Sequence, residues 1–426
     1  MNGFNLSDIT DAKLGTTTLS GGIYLGSTKL WPLSNIDYSQ EYLTIKSLAD
    51  NNTITWTFTG STPMQNYIYW SKNGTSWMSA ITSTSDTPVS LTTLNKGEKM
   101  YLKGENVTYA LSSSNYSHFN SDYEFNVSGN IMSLIYGDNF IGQTTLSSDY
   151  NFTGIFKSSK VVNASNLILP ATTLASSCYN GMFRGCTLLV AAPTLPATTL
   201  ASSCYSNMFR GCTSLTAAPE LPATTLTGTY CYSYMFYGCT SLTAAPELPA
   251  TKLTADCYGN MFRDCTSLAT APILPATTLA NYCYEHMFQN CTSLTAAPTL
   301  PATTLAPSCY PYMFSGCTSL ATVPTLPATT LASSCYSYMF RNCTSLATAP
   351  ILPATTLANY CYEHMFYGCT SLSYIKCLAT DISASSSHTN WLLNVAATGT
   401  FVKPTSMTSW PSGASGIPSG WTVVNV

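Results

Sequence analysis

Charge is what this chain has least of. Asp, Glu, Lys and Arg together make 8% of the residues, against roughly 25% in an average soluble protein. With 16 Lys+Arg against 19 Asp+Glu, the net charge is −3. With so few cations a polyanionic partner such as nucleic acid is not expected, because phosphate contacts need many clustered Lys and Arg. Disorder driven by high charge and low hydrophobicity is excluded as well, since 45% of residues are hydrophobic. There is no run of 18 apolar residues, so no membrane-inserting segment is expected. The first 38 residues have neither a basic start nor an apolar core of a secretory signal. Histidine occurs only four times, and arginine only four times in 426 residues.

Cysteine, by contrast, is abundant. The 17 cysteines all fall between Cys178 and Cys377, in register. Cys178, Cys204, Cys231, Cys257, Cys283, Cys309, Cys335 and Cys361 each have a second cysteine eight residues later. Steps between copies are 26 residues, with one of 27. A period of this size marks a solenoid, so the cysteine count reflects one copied unit and is no disulfide code. Each unit reads Leu-Pro-Ala-Thr-Thr-Leu, a short polar stretch, Cys-Tyr-x-x-Met-Phe-x-x-Cys, then Thr-Ser-Leu and a small-residue run ending in Pro. The spacing of Cys178, Met182 and Cys186 predicts one face of a short helix, widened by Tyr179 and Phe183. The second copy repeats it with Cys204, Met208, Phe209 and Cys212, and these positions are the expected solenoid core. Leu215, Ala218 and Leu221 suggest a short strand into the next coil, made narrow and irregular by Pro219 and Pro222. The unpaired Cys377 aligns with Glu220, two residues before a repeat's proline.

Phe-x-x-Cys-Thr-Ser-Leu followed by Leu-Pro resembles the BspA-like leucine-rich repeat of bacterial surface proteins, over roughly residues 150 to 378. The segments Ile9 to Gly15 and Ile23 to Pro32 resemble the N-terminal attachment segment of virion proteins from phages infecting gut Bacteroidales. Similar phage proteins carry the motif Gly129 to Phe140 and the tail Gly399 to Trp421. That resemblance implies a virion fibre or decoration protein, made in the host cytoplasm and released by lysis, which needs no signal peptide. It further implies attachment to other virion proteins through the N-terminus, and a homotrimer. The alternatives are a bacterial cell-surface adhesin and an enzyme that degrades host polysaccharide.

The expected architecture is α+β and β, in five parts. Residues 1–38 form the attachment segment and 39–128 a small β-sandwich. Residues 129–168 are a junction with a degenerate capping repeat, in which Phe156 to Pro170 parallels Phe183 to Pro196 without cysteine. Residues 169–377 are the solenoid, of about nine coils with the cap included, and 378–426 a cap holding Trp391, Trp410 and Trp421. In the sandwich, Ile54, Trp56 and Phe58 alternate along a half-buried strand. Asn73-Gly74 between Tyr67 to Trp70 and Trp77-Met78 signals a hairpin.

No cofactor or metal is expected, because the cysteine spacing does not suit zinc and histidines do not join it. The cysteines read as reduced and structural in a cytoplasm, although disulfides between stacked coils remain geometrically open. Glu220 and Glu247 on neighbouring coils have the proximity of a retaining glycosidase pair, but Thr194, Ile273, Thr299, Thr325 and Ile351 fill the same position elsewhere. The better functional signal is variation against a fixed frame. Tyr234, His286, Tyr312, Tyr338 and His364 occupy the second position after Cys-Tyr. Arg184, Arg210, Tyr237, Arg263, Arg341 and Tyr367 follow Met-Phe, and this position holds all four arginines. These eleven residues are the candidate contacts to a host surface glycan or protein. The proline-rich strand face is the other possibility. Ala269 to Phe288 and Ala347 to Phe366 are identical, which points to exchange of whole coils.

Overall fold

The structure, a computed structural model, describes residues 37–62, 64–81, 86–408 and 410–426. Within the first 36 residues it describes only four short strands, β1 (Lys13–Leu14) with β2 (Thr17–Thr18) and β3 (Ile23–Leu25) with β4 (Thr28–Trp31). The rest of the expected attachment segment, up to residue 36, lies outside the described residues.

Two open sheets follow. The first has six strands in the order β14-β13-β5-β10-β7-β8, the second four in the order β11-β12-β6-β9. Their strands are β5 (Leu43–Ser47), β6 (Asn52–Thr59), β7 (Tyr67–Ser71), β8 (Met78–Ile81), β9 (Val89–Leu94), β10 (Lys99–Lys103), β11 (Ala110–Ser112), β12 (Asn115–Ser121), β13 (Phe125–Asn130) and β14 (Val161–Ile168). Alternation in β6 puts Ile54, Trp56 and Phe58 fully inside, where Trp56 packs against Phe119 of β12 at 4.5 Å between rings. The Asn73-Gly74 turn joins β7 to β8 as antiparallel partners. The Asn73 side-chain oxygen accepts from the N–H groups of Thr75 and Ser76, and Gly74 takes φ +74°. Between β13 and the parallel β14 sits α1 (Ser133–Tyr136), one α-helical turn.

The expected helices of the repeats are absent, and this corrects the α+β reading: the chain is mostly β, with almost no helix among the described residues. Each Cys-Tyr-x-x-Met-Phe-x-x-Cys stretch is instead a ribbon of successive turns. In the first, Ser177, Gly181 and Gly185 have φ of +58°, +58° and +75°, so every fourth residue is left-handed. The N–H groups of Asn180, Met182 and Arg184 donate to carbonyls three residues back, at 3.0 to 3.2 Å. Those of Tyr179, Gly181, Phe183 and Gly185 donate to the next coil, to Cys204, Ser206, Met208 and Arg210, at 2.7 to 3.0 Å. An α-helix sends every N–H back four residues within itself. Here half of them bind coil to coil, and a four-residue period buries the same side chains that i, i+4 spacing would.

Stacking the coils converts each buried position into a row. Phe156, Phe183, Phe209 and their successors to Phe366 lie 5.5 to 5.7 Å apart between ring centres, nearly parallel. A second row of rings runs from Phe152 through Tyr179 and Tyr205 to Tyr362 and ends on Trp391. Such pairs add about 0.5–1.5 kcal/mol each beyond their burial. The residues between 150 and 158 already form a coil without cysteine, with Tyr150, Gly154 and Ser158 left-handed.

The predicted strand at Leu215, Ala218 and Leu221 is absent. Strand pairing between repeats shrinks to β15 (Thr199–Leu200) with β16 (Thr225–Leu226) and isolated parallel bridges such as Ala244 with Thr270, because proline removes ladder donors. At the C-terminal end β17 (Tyr374–Lys376), β18 (Gly399–Lys403) and β19 (Trp421–Asn425) pair in parallel. Trp391 is fully buried and stacks on Trp410 at 5.3 Å. Cys377 bridges with Leu352 and is buried. It therefore belongs to the interior leucine row and not to the exposed row of Glu220, because the last step is 25 residues.

All seventeen cysteines are free and buried. The second cysteine of each coil donates its S–H to the phenylalanine carbonyl of the preceding coil, as in Cys212 to Phe183 (3.1 Å) and Cys291 to Phe262 (3.1 Å). A small side chain with a weak donor fits a buried carbonyl there.

Candidate recognition face

The left-handed middle residue of each ribbon points away from the core. In coil order this row is Gly154, Gly181, Asn207, Tyr234, Asn260, His286, Tyr312, Tyr338, His364 and Asn390. Three residues on, a parallel row reads Lys157, Arg184, Arg210, Tyr237, Arg263, Gln289, Ser315, Arg341 and Tyr367. The eleven candidate contacts lie in these two adjacent rows. Sequence reasoning missed Lys157, whose signal was its place three residues after Gly154 in the cysteine-free coil.

None of the eleven stands free in solvent; all are half-buried. His286, Tyr312, Tyr338 and His364 form a continuous stack, with ring centres 4.5, 4.3 and 4.6 Å apart and planes within 18°. The arginines lean on the same surface. Arg210 lies 4.7 Å from the Tyr237 ring centre and 5.4 Å from that of Tyr234. Arg263 covers Tyr237 at 5.6 Å, and Arg341 covers Tyr367 at 5.3 Å. Cation–π contacts of this kind fix the guanidinium planes without using their N–H edges.

Partial burial tunes the titrating groups. His286 is pushed down to about 4, first by burial and then by Arg263. It is therefore neutral at pH 7, and its 3.6 Å approach to Glu285 is no ion pair; the ring Nδ1 instead meets Gln289 Oε1 at 2.8 Å. Glu285 is raised to about 7 by burial and by Asp256. Burial, and next Tyr338, lifts Tyr312 to about 12. The stack is thus uncharged at neutral pH and presents ring edges flanked by planar cations.

The opposite, proline-rich face is grooved. Glu220 and Glu247 line one hollow of about 530 Å³ with Pro222, Pro246 and Pro249. Further along, Ile273 and Ile351 stand exposed beside other hollows. Alanine and proline walls supply neither a base nor an oxyanion donor to the two acids. Among the described residues no three His, Cys, Asp or Glu side chains are grouped to hold a metal ion, and no helix is long and apolar enough to cross a membrane.

Residues 176–310 and 285–387 match the BspA type Leucine rich repeat region, in six copies. The solenoid carries BspA-type leucine-rich repeats. This BspA-type repeat belongs to non-enzymatic, adhesion-type repeat proteins. No curated protein matches the chain.

Proposed function

We propose that this chain is a non-enzymatic adhesin that presents the two variable rows of its BspA-type solenoid to a host surface glycan or protein. The observation that carries this reading is the ring stack itself. A left-handed backbone costs a non-glycine residue roughly 1–2 kcal/mol, and Gly181, Asn207 and Asn260 meet that demand more cheaply. Four consecutive coils nonetheless place Tyr or His there, half-buried, over a core that does not vary. Stacked face to face, the rings support one another and present their edges, hydroxyls and ring nitrogens to solvent, where a ligand can meet them.

The finer assignment is a phage virion fibre or decoration protein, tail or head, anchored to other virion proteins by its N-terminal segment, trimeric, and released by lysis. The support is the resemblance of Ile9 to Gly15, Ile23 to Pro32, Gly129 to Phe140 and Gly399 to Trp421 to phage proteins. A bacterial cell-surface adhesin would use the same face. Antibody against the solenoid should label virions, and particles without label would remove the virion assignment. Tyr234→Ala, Tyr312→Ala and Tyr338→Ala combined should lower attachment to host cells at least about tenfold, on the scale of lost aromatic contacts. Unchanged attachment would move the contact to the proline face.

A further inference from the structure

At the N-terminal end of the same two rows, the ring stack gives way to a hollow. The row position that holds Tyr or His further along is glycine in two successive coils, Gly154 and Gly181. A side chain at Gly181 would meet nothing closer than the Arg184 Cβ at 3.6 Å, so the space above it is open. The cavity is about 250 Å³, and its walls include Lys157, Arg184, Arg210, Asn180, Asn207 and Tyr234. No Asp or Glu lines it. The three cations follow Phe156, Phe183 and Phe209, whose rings are 5.5 and 5.7 Å apart, and so stand one above another on consecutive coils.

That alignment is unusual in this molecule. Among the described residues none of the three cations has an acidic partner within 4 Å. Lys157 sits over the Tyr116 ring at 4.3 Å and Arg210 over Tyr237 at 4.7 Å. Burial, and the neighbouring Arg210, hold the Arg184 guanidinium below its ordinary value. Three like charges in one line, in a chain with so few charges, repel one another and lack an anion to neutralise them. Guanidiniums recognise oxyanions through paired N–H groups, the amide of Asn180 suits hydroxyls, Asn207 holds Arg210 by accepting from its Nη1 at 3.4 Å, and the face of Tyr234 suits a pyranose ring. The volume lies below the roughly 300–1,000 Å³ of drug-sized pockets, which fits a single ring.

We propose that this hollow binds one anionic sugar residue, an oxyanion-bearing pyranose such as a uronate or sialate at the end of a host surface glycan. This deepens the adhesin reading and rests on it for the origin of the sugar. Lys157 and Arg184 clamp the oxyanion, Arg210 is held in place by its tyrosines, and Tyr234 stacks on the ring. Gly181 is kept small because the ligand occupies what would be its side-chain space; at Gly154 the Tyr116 ring, 2.7 Å from where a Cβ would stand, already fills that space.

The test is calorimetric titration of the full chain with glucuronate and N-acetylneuraminate, with glucose and inorganic sulfate as controls. Saturable binding of an acidic sugar, absent for glucose, is expected. Arg184→Gln should weaken it at least about tenfold, as expected for loss of a charge-assisted bidentate contact. Gly181→Asn should abolish it with an unchanged melting temperature, because Asn207 and Asn260 adopt the same backbone in this row. Equal binding of glucose, displacement by sulfate at matching concentration (an adventitious ion only), or unaltered binding by folded Gly181→Asn would each overturn the proposal. The adhesin reading fails separately: acidic sugar bound in solution with no attachment of the protein to host cells overturns adhesion and leaves the pocket. Attachment that survives while Gly181→Asn still binds sugar overturns the pocket alone.

Discussion

Asn342 is exposed and has φ +59°, and that single angle separates a turn ribbon from a helix. In a helix, Asn→Ala is favourable and Asn→Gly costs a few tenths of a kcal/mol or more. In the left-handed region the order reverses, because only glycine escapes the Cβ clash. Asn342→Ala is therefore expected to destabilise by about 1 kcal/mol and Asn342→Gly to be close to neutral, read as shifts in urea midpoint. Helix-like ordering would contradict the ribbon. The turn signal is present in the sequence but easily misread. Asn, Asp and Gly recur at positions such as Asp264, Asn290 and Gly316, which is turn chemistry, but Tyr and His at the ribbon's other left-handed positions, such as Tyr282 and His286, mask it, and Cys178, Met182 and Cys186 satisfy either period.

At the scale of the ribbon, the cysteines explain themselves through their surroundings. Burial raises Cys186 to about 11 and Cys239 to about 12, so these thiols stay protonated, as S–H donation to a phenylalanine carbonyl requires. Thiol reagents act on thiolates. The native protein is expected to consume no dithiobisnitrobenzoate at neutral pH, and the urea-unfolded protein seventeen equivalents. Substantial labelling of the folded chain would mean that the rows are not closed. Repeat period, buried rows and variable positions were all legible from copy-to-copy comparison, because copying keeps core residues and frees the rest. The strand expected at Leu215 to Leu221 was not, since prolines leave too few N–H donors to pair, and Lys157 was hidden because its coil lacks the cysteine that marks the others.

Across the whole molecule, the four histidines act in the same direction. His118 is pushed to about 4, mainly by burial and then by Lys157, and His286 likewise to about 4. His364 and His388 are also lowered by burial. A histidine whose folded pKa is depressed contributes stability that is full above the unfolded value near 6.5 and drains away as pH falls toward 4. His118 alone accounts for roughly 3 kcal/mol over that interval, at about 1.4 kcal/mol per pH unit. The raised Glu285 and Asp256 work oppositely, favouring the fold at lower pH, but they are two groups against four. Melting temperature should drop between pH 6.5 and 4, and His118→Gln should reduce the drop; a flat profile would contradict the burial of these rings.

The near-constant ring spacing also makes length a digital quantity. Each coil adds one rung, bonds only to its two neighbours, and leaves both ends unchanged. The identical stretches Ala269 to Phe288 and Ala347 to Phe366 lie three coils apart, and inserting or deleting such a block would move the C-terminal end by three rungs. It would do so without disturbing the sheets, the acidic-sugar hollow or the tryptophan cap. The solenoid thus doubles as a ruler, whose reach evolution can reset in whole steps, with the ring stack of His286, Tyr312 and Tyr338 growing or shrinking alongside while the hollow at the other end stays the same.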